Sequence, residues 1–384
     1  MMRAAVAATE DAMTTATNHP TKWWHLLEDG RVQCDVCPRH CRLKDGQAGH
    51  CFVRANAGNA VVLNTYGRSS GYCVDPMEKK PLSHFLPGTS ILSFGTAGCN
   101  LACQFCQNWD ISKSREVDTL AAEASPALVA AAAKHLGCTA VAFTYNDPVI
   151  FLEYALDVAA ECRKLGIKTV AKTAAYMCEG PAREFFGAMD ACSVDLKAFS
   201  EDFYARITYG HLKPVLDNIL AIRRHTHSWL ELTTLLIPGL NDSDAELDQM
   251  TRWVVDALGP DVPMHFTAFH PDWRMLDRPR TPPSTLKRAR IMAMKNGVRY
   301  AYSGNILDEE TASTYCHQCH HVLVGRVGYD ITAWHLTDDG HCRQCGARCA
   351  GVFNGPAGDW GTRRLPVDMR DLRALLAGPH GGGA

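Results

Sequence analysis

Cys99, Cys103 and Cys106 form a Cys-x3-Cys-x2-Cys run, with the aromatic Phe105 just before the last thiol and the stretch Ile91-Leu92-Ser93-Phe94 a few residues upstream. Three thiolates can hold three corners of a 4Fe-4S cube, whereas an electron-transfer cluster is normally closed by four cysteine ligands. One iron is then left open to a substrate or a cofactor. The spacing therefore points to chemistry on a bound molecule.

Two further cysteine sets flank this run. Cys316 and Cys319 are followed, after 22 residues, by Cys342 and Cys345, with the turn residues Asp338, Asp339 and Gly340 just before the second pair. Two Cys-x2-Cys knuckles at that separation can close one tetrahedral site, so a structural zinc is expected there. A second iron-sulfur cluster is the alternative, and Cys349 or His341 could replace one ligand. Cys34, Cys37, Cys41 and Cys51 make the other set, whose spacing suits either zinc, the first reading, or an auxiliary cluster. Cys73, Cys138, Cys162, Cys178 and Cys192 fall in or beside predicted core elements, where free cysteine behaves as a small hydrophobe. Cys178, in a loop after the third predicted strand, is the best of these for a chemical role.

These residues need a scaffold, and the chain supplies one between about residues 90 and 306. Short β-rich runs at 91–95, 139–145, 167–173, 191–196, 229–236, 262–269 and 298–303 alternate with amphipathic stretches, the pattern of βα units around a parallel sheet. Ser125-Pro126 opens one helix and Gly137 closes it, Ser243 and Glu246 form a capping box, and Thr281-Pro282 opens another helix that ends near Gly297. The expected fold class is α/β, a partial or modified (βα) barrel with cysteine-rich metal-binding modules at both ends. Functional residues in such sheets gather at the carboxyl ends of the strands. That is where Cys99 to Cys106, Asn146, Asp147, Asp195 and Lys197 fall. The expected division is a flexible tail over 1–30, a cysteine-rich module over 31–90, the barrel over 91–306, a zinc-ribbon-like module over 307–355 and a tail over 356–384.

Composition narrows the class further. A chain of 384 residues, 46% hydrophobic, can bury a sizeable core without disulfides, and a formal net charge of -2 lacks the basic footprint of a dedicated nucleic-acid binder. Seventeen cysteines, several paired at Cys-x2-Cys spacing, fit metal ligation in a reducing cytoplasm better than a secreted disulfide framework. Residues 1 to about 21 lack the basic and apolar regions of a signal peptide, and no apolar run approaches the roughly 18 residues of a membrane span.

With these motifs placed, the chain resembles the radical S-adenosylmethionine (SAM) enzymes, whose signature is a Cys-x3-Cys-x2-Cys run ending in an aromatic-Cys pair. Among them it is similar to the pyruvate formate-lyase activating enzymes, and more closely to the radical SAM member of the AmmeMemoRadiSam system. The resemblance rests on Cys34-Asp35-Val36-Cys37-Pro38-Arg39-His40-Cys41, on Asp75-Pro76-Met77-Glu78-Lys79-Lys80-Pro81-Leu82 with His84-Phe85-Leu86-Pro87-Gly88, and on Gly98-Cys99-Asn100 through Cys106-Gln107-Asn108-Trp109. Phe143-Thr144-Tyr145-Asn146-Asp147-Pro148, Val194-Asp195-Leu196-Lys197-Ala198-Phe199, Ile237-Pro238-Gly239-Leu240-Asn241-Asp242, and His265-Phe266 with Phe269-His270-Pro271 continue it, so that it spans about residues 31 to 353.

The resemblance implies that Cys99, Cys103 and Cys106 ligate a 4Fe-4S cluster whose open iron binds SAM. Asn146 and Asp147 would hold the SAM amino group, Asp195 and Lys197 would lie near its carboxylate, and His265 would reach the nucleoside. Electrostatics agrees, since SAM presents an ammonium for a carboxylate and a carboxylate for a lysine. Two plainer roles compete: Asp147-Pro148 as a helix cap and Lys197 as a solvated strand-end charge. Asp147 replaces the usual longer Glu, and Thr173-Ala174-Ala175-Tyr176 stands where relatives have Thr-Asn-Gly. Glu78, Lys79, Lys80 and His84 either line the site or tie the amino-terminal module to the barrel.

The implied activity is reductive cleavage of SAM to a 5′-deoxyadenosyl radical that takes hydrogen from an unknown substrate, as a glycyl-radical-enzyme activase does with a partner protein. Radical modification or methylation of protein or RNA is the enzymatic alternative. A non-catalytic iron-sulfur carrier or zinc-ribbon adaptor is the alternative from another class. An electron donor such as a flavodoxin or ferredoxin, and Memo-like or AMMECR-like partners, complete the expectation.

Overall fold

Seven strands, successive ones joined by segments that each include a helix, build the centre of this computed structural model, which describes residues 18–113, 120 and 122–377. They are β1 (Ser90–Phe94), β2 (Ala140–Phe143), β3 (Lys168–Thr173), β4 (Ala191–Asp195), β5 (Trp229–Leu236), β6 (Met264–Ala268) and β7 (Ala301–Gly304). All six ladders between them are parallel and in sequence order, with Ala140 opposite Ile91, Val170 opposite Ala191 and Thr233 opposite His265. The expected β-runs thus become the expected strands. Most of their residues are buried because both faces are covered, which is why runs such as Ala140–Phe143 read as continuously apolar.

Helices α1 (Pro126–His135), α2 (Leu152–Lys164), α3 (Glu179–Gly187), α4 (Leu212–His225), α5 (Asp244–Leu258) and α6 (Pro283–Lys295) connect the strands. The Ser125 hydroxyl accepts from Leu128 N at 3.2 Å, and Gly137 ends α1 with φ +68°. The capping box at α5 is only half made. Ser243 accepts from Glu246 N, but the Glu246 carboxylate turns away to accept from Phe199 N at 2.6 Å and so fixes the loop after β4. Thr281 likewise does not cap α6. It accepts from Phe269 N and donates to Leu236 O, joining the ends of β5 and β6.

The sheet extends beyond β1 by two antiparallel strands, Tyr72–Pro76 and then Leu365–Val367 at the edge. This corrects the expected tail over 356–384. Leu365–Val367 carries a proline, which an edge strand tolerates, and its three residues are too few to announce a strand. Met369–Ala377 follows as a helix that buries Met369 and Leu372. The expected tail over 1–30 is corrected from residue 18 onward. His19–Pro20 pairs with Val61–Leu63, Trp24–Leu26 pairs with Val32–Cys34, and the Trp23 ring lies against Gly180, where a Cβ would come within 2.7 Å of it. Residues 1–17 and 378–384, the remainder of both expected tails, lie outside the described residues.

The carboxyl-terminal module is a three-stranded antiparallel sheet of Thr314–Tyr315, Val322–Val327 and Asp330–Trp334. It sends Arg326, 2% exposed, into the barrel floor, where the guanidinium donates to Ser83 O at 2.7 Å and Thr314 Oγ1 at 2.8 Å.

Candidate active site

The loop after β1 is held by backbone bonds on both sides. Gly98 N donates to Ile111 O at 2.9 Å, while Ala102 N and Gln104 N each donate at 3.0 Å to Thr208 O and Ile207 O. Gly98 has φ +85°, and a Cβ there would lie 2.0 Å from Cys51 O, so only glycine permits this approach. Cys99, Cys103 and Cys106 consequently line one cavity of about 690 Å³, together with Asn146, Asp147, Lys172, Asp195 and Lys197. Burial pushes the Cys103 thiol up to about 12, with Lys197 pulling the other way, and raises Cys99 too. For Cys99 and Cys103 a bound cationic centre would offset that burial and favour the thiolate, which is the requirement a cluster meets.

Opposite the sulfurs, Asp195 at the end of β4 sits between two ammonium groups. Lys197 Nζ reaches Asp195 Oδ2 at 3.1 Å, and Lys172 Nζ from β3 bonds Oδ1. Burial would raise the Asp195 carboxyl, but the two lysines outweigh it and hold it down at about 2. For Lys197 burial opposes the charge, yet Asp195 and the Cys103 sulfur lift it above the ordinary lysine range. It lies 5.8 Å from the centre of the Phe105 ring, so the aromatic before the last thiol helps to seat it. Lys197 is thus no free strand-end charge. Lys172 was not singled out in the sequence, although a lysine inside the run Thr169-Val170-Ala171-Lys172-Thr173 is the kind of charge that a buried strand carries only when paired.

Asn146 and Asp147 line the cavity but are committed to the backbone. Asn146 accepts from Thr96 N and donates to Thr96 O and Gly98 O at 2.8 and 2.7 Å, so it fastens the turn that enters the cluster loop. Asp147 accepts from Val149 N as a cap, and also from Thr173 Oγ1 at 2.8 Å and Ala174 N at 2.9 Å. Burial raises its carboxyl despite these donors. The two departures from the family pattern therefore touch: the shortened acid at 147 is held by the altered loop at 173–174.

A second wall joins Lys79 and Lys80, one of whose two expected places was the site, to Asp75, Tyr145 and Arg364. Asp75, fully buried, accepts from Lys79 Nζ at 2.7 Å, Lys80 Nζ at 2.8 Å and Tyr145 OH at 3.0 Å. Lys79, Lys80 and Tyr145 line the cavity beside Arg364, which comes from just before the edge strand. Burial pushes Lys80 down to about 8 against the pull of Asp75.

His265 is elsewhere. Its Nε2 meets Glu231 Oε2 at 2.7 Å in the floor, its ring stacks on Tyr302, and it does not line the cavity. Side chains alternate along β6, so Thr267, two residues on and on the same face, is the one that lines the cavity. Glu231 also accepts from Ser83 N, His84 N and Trp229 Nε1, while His84 Nε2 meets Tyr302 OH. Of the four residues left open by the sequence, Lys79 and Lys80 line the site, whereas Glu78 and His84 tie the amino-terminal module to the floor.

Cys316, Cys319, Cys342 and Cys345 bring all four Sγ atoms within 4.8 Å of one another. That is a site for a single ion, and neither Cys349 nor His341 belongs to it. Cys349 instead lies 3.7 Å from His84 Nδ1. Cys34, Cys37, Cys41 and Cys51 line a small separate cavity. Cys178 contacts His40 Nε2 at 3.8 Å on the outside of that module and lines neither cavity. Among the described residues no helix is long and apolar enough to cross a membrane.

The family model described as the Radical SAM superfamily matches residues 94–251, from the end of β1 into α5. An uncharacterised protein of Methanocaldococcus jannaschii is 33% identical over 327 residues, covering 85% of this chain and 97% of its own. Among solved structures, a domain of a pyruvate-formate lyase-activating enzyme from Bacteroides vulgatus is 15% identical, covers 43% of this chain and 99% of its own, and gives a TM-score of 0.39. A radical SAM methyltransferase from Sphaerobacter thermophilus is 12% identical, covers 75% and 76%, and gives 0.44. Carried by the cysteine run and the family match through the strands that present it, the chain belongs to the radical SAM superfamily.

Proposed function

We propose that the protein cleaves SAM reductively at a 4Fe-4S cluster held by Cys99, Cys103 and Cys106, and that it acts on a substrate entering the same cavity. The observation that carries this reading is the single cavity in which three cysteines face the Lys172, Asp195 and Lys197 triad. Cluster and SAM together would supply one-electron cleavage of the sulfonium and a 5′-deoxyadenosyl radical able to take hydrogen from substrate.

The chain's own part is positioning. Lys197, with Lys172 beside it, offers cationic charge to the SAM carboxylate; Asp195 keeps both lysines charged and in place. Asn146 and Asp147 set the backbone of two adjoining loops, so that carbonyl oxygens rather than free side chains would accept from the SAM amino group. The wall of Lys79, Lys80 and Arg364 favours a substrate bearing acidic groups, a protein segment among them, as the activase-like reading requires. The AmmeMemoRadiSam resemblance supports Memo-like or AMMECR-like partners, and the reductant would be a flavodoxin or ferredoxin in the cytoplasm. The carboxyl-terminal quartet would hold zinc, so Cys316→Ser should cost about one zinc per chain by metal analysis.

The test is anaerobic cluster reconstitution, reduction in the presence of SAM, and mass spectrometry for 5′-deoxyadenosine, run beside the Cys103→Ala protein. Product from the wild type alone is expected. An intact, reduced cluster that yields none would refute the catalytic reading in favour of a carrier or adaptor.

A further inference from the structure

The two cysteine quartets differ in how far their sulfurs converge. At the carboxyl end Cys316 and Cys345 are 3.6 Å apart and Cys319 and Cys342 3.7 Å apart. A tetrahedral ion with Zn–S bonds of about 2.3 Å spaces its sulfurs about 3.8 Å apart, so that quartet is already sized for one zinc. Among the described residues no other set of three or more cysteine, histidine or carboxylate ligands comes within 4.8 Å in this way. The sulfurs of Cys34, Cys37, Cys41 and Cys51 instead stand round a gap of about 20 Å³. The thiols of Cys99, Cys103 and Cys106 also border a cavity without converging. One ion draws its ligands to a point, whereas a cluster of several irons and sulfides keeps them apart.

The surroundings of the amino-terminal quartet suit a cluster. The Cys34 N–H donates to Cys41 O at 2.9 Å and the His40 N–H to Cys37 O at 3.1 Å, so the first three ligands share one tight loop. His50 N lies 3.5 Å from Cys41 Sγ, an N–H···S contact of the kind that stabilises cluster thiolates. Arg54, 2% exposed, closes one wall and is itself fixed by Ile150 O at 3.0 Å and by Glu153. The opposite wall includes Asn100, next in sequence to Cys99, and Gly98 lies against Cys51 O. Gly98 and Asn100, on either side of Cys99, thus both touch the amino-terminal cysteine module.

We infer that Cys34, Cys37, Cys41 and Cys51 hold a second 4Fe-4S cluster, closed by four thiolates, directly behind the loop that carries the first three-cysteine site. With no open iron it does not bind SAM.

The full-length protein, reconstituted anaerobically with iron, sulfide and zinc all supplied, should contain about eight irons, eight sulfides and one zinc per chain. The Cys99→Ala/Cys103→Ala/Cys106→Ala protein should keep about four irons and show, when reduced, a cluster signal in electron paramagnetic resonance that SAM leaves unchanged. The Cys34→Ser/Cys51→Ser protein should lose those four. About four irons and two zincs in the wild type, or an iron-free triple variant that retains its carboxyl-terminal zinc, would overturn the inference. The wild-type count requires no variant to fold. The inference goes beyond the SAM reading and fails separately from it: a retained second cluster with no 5′-deoxyadenosine would sink only the latter.

Discussion

Two buried polar clusters occupy the barrel interior, and they are settled in opposite ways. At the mouth, Lys172 and Lys197 share the one carboxylate of Asp195, and all three face the cavity. In the floor, Glu231 accepts from His265, Trp229 and two backbone amides, His84 joins Tyr302, and Arg326 is walled in by Ser83, Thr314 and Glu78. The floor's unmatched atoms include Arg326 Nε and Glu78 Oε2, and these belong to groups that face each other at 3.9 Å. A closed network satisfied to this degree is glue between three parts of the chain. A cluster left with surplus positive charge beside open space is a place for an anion.

The sharpest way to break this contrast is Glu231→Ala. It strands His265, Trp229 Nε1 and two amides in the interior, and should cost about 3–5 kcal/mol in chemical denaturation. An unchanged midpoint would mean that the floor does not hold the modules together.

Next comes pH. Burial, partly opposed by Glu231, pushes His84 down to about 4. The unfolded histidine titrates near 6.5, so between pH 6.5 and 4 the unfolded chain binds the extra proton. His84 therefore contributes fully above 6.5, and its contribution is lost at up to about 1.4 kcal/mol per pH unit as pH falls through that window. Around it lie Glu231, His265, Tyr300, Tyr302, Arg326 and Cys349. Stability profiles of the wild type and His84→Asn should differ in slope there and run parallel above pH 7.

At the mouth the effects should fall on binding. Lys197→Ala should weaken SAM binding at least tenfold, as expected for a lost charged hydrogen bond of about 1.5–3 kcal/mol, while Lys172 still partners Asp195 and limits the loss of stability. Titration followed by the cluster's spectrum would show it, and wild-type affinity would remove Lys197 from the SAM site. Lys172→Met should do the same several-fold less, since Lys197 is the lysine that acts on Cys103 and sits over Phe105. Equal losses from both would mean that the lysines act as one charged surface.

Much of this was legible because it is local. The parallel strands follow from short apolar runs between helix signals, the cluster loop from the spacing of Cys99, Cys103 and Cys106, and the carboxyl-terminal site from two knuckles that fold on themselves. Asp195 and Lys197 were found as neighbours in one strand end. Lys172 was not, because its partner lies on the next strand. The floor was invisible for the same reason at greater range: Ser83 and Arg326 are 243 residues apart, and nothing in either segment names the other. His265 stands one strand alternation below Thr267, which lines the cavity, a distance that a motif does not encode. The halved capping box shows a local signal giving way to tertiary structure, since Glu246 serves a distant loop better than its own helix.

The edge strand Leu365–Val367 has a consequence for how the protein is made. It pairs with Tyr72–Pro76, and Arg364 and Pro366 supply part of the cavity wall. The ribosome delivers the cysteine loop long before it delivers this wall. Until it arrives, the part of the wall supplied by Arg364 and Pro366 is missing. Pairing of this strand is thus the step that completes that part of the cavity wall.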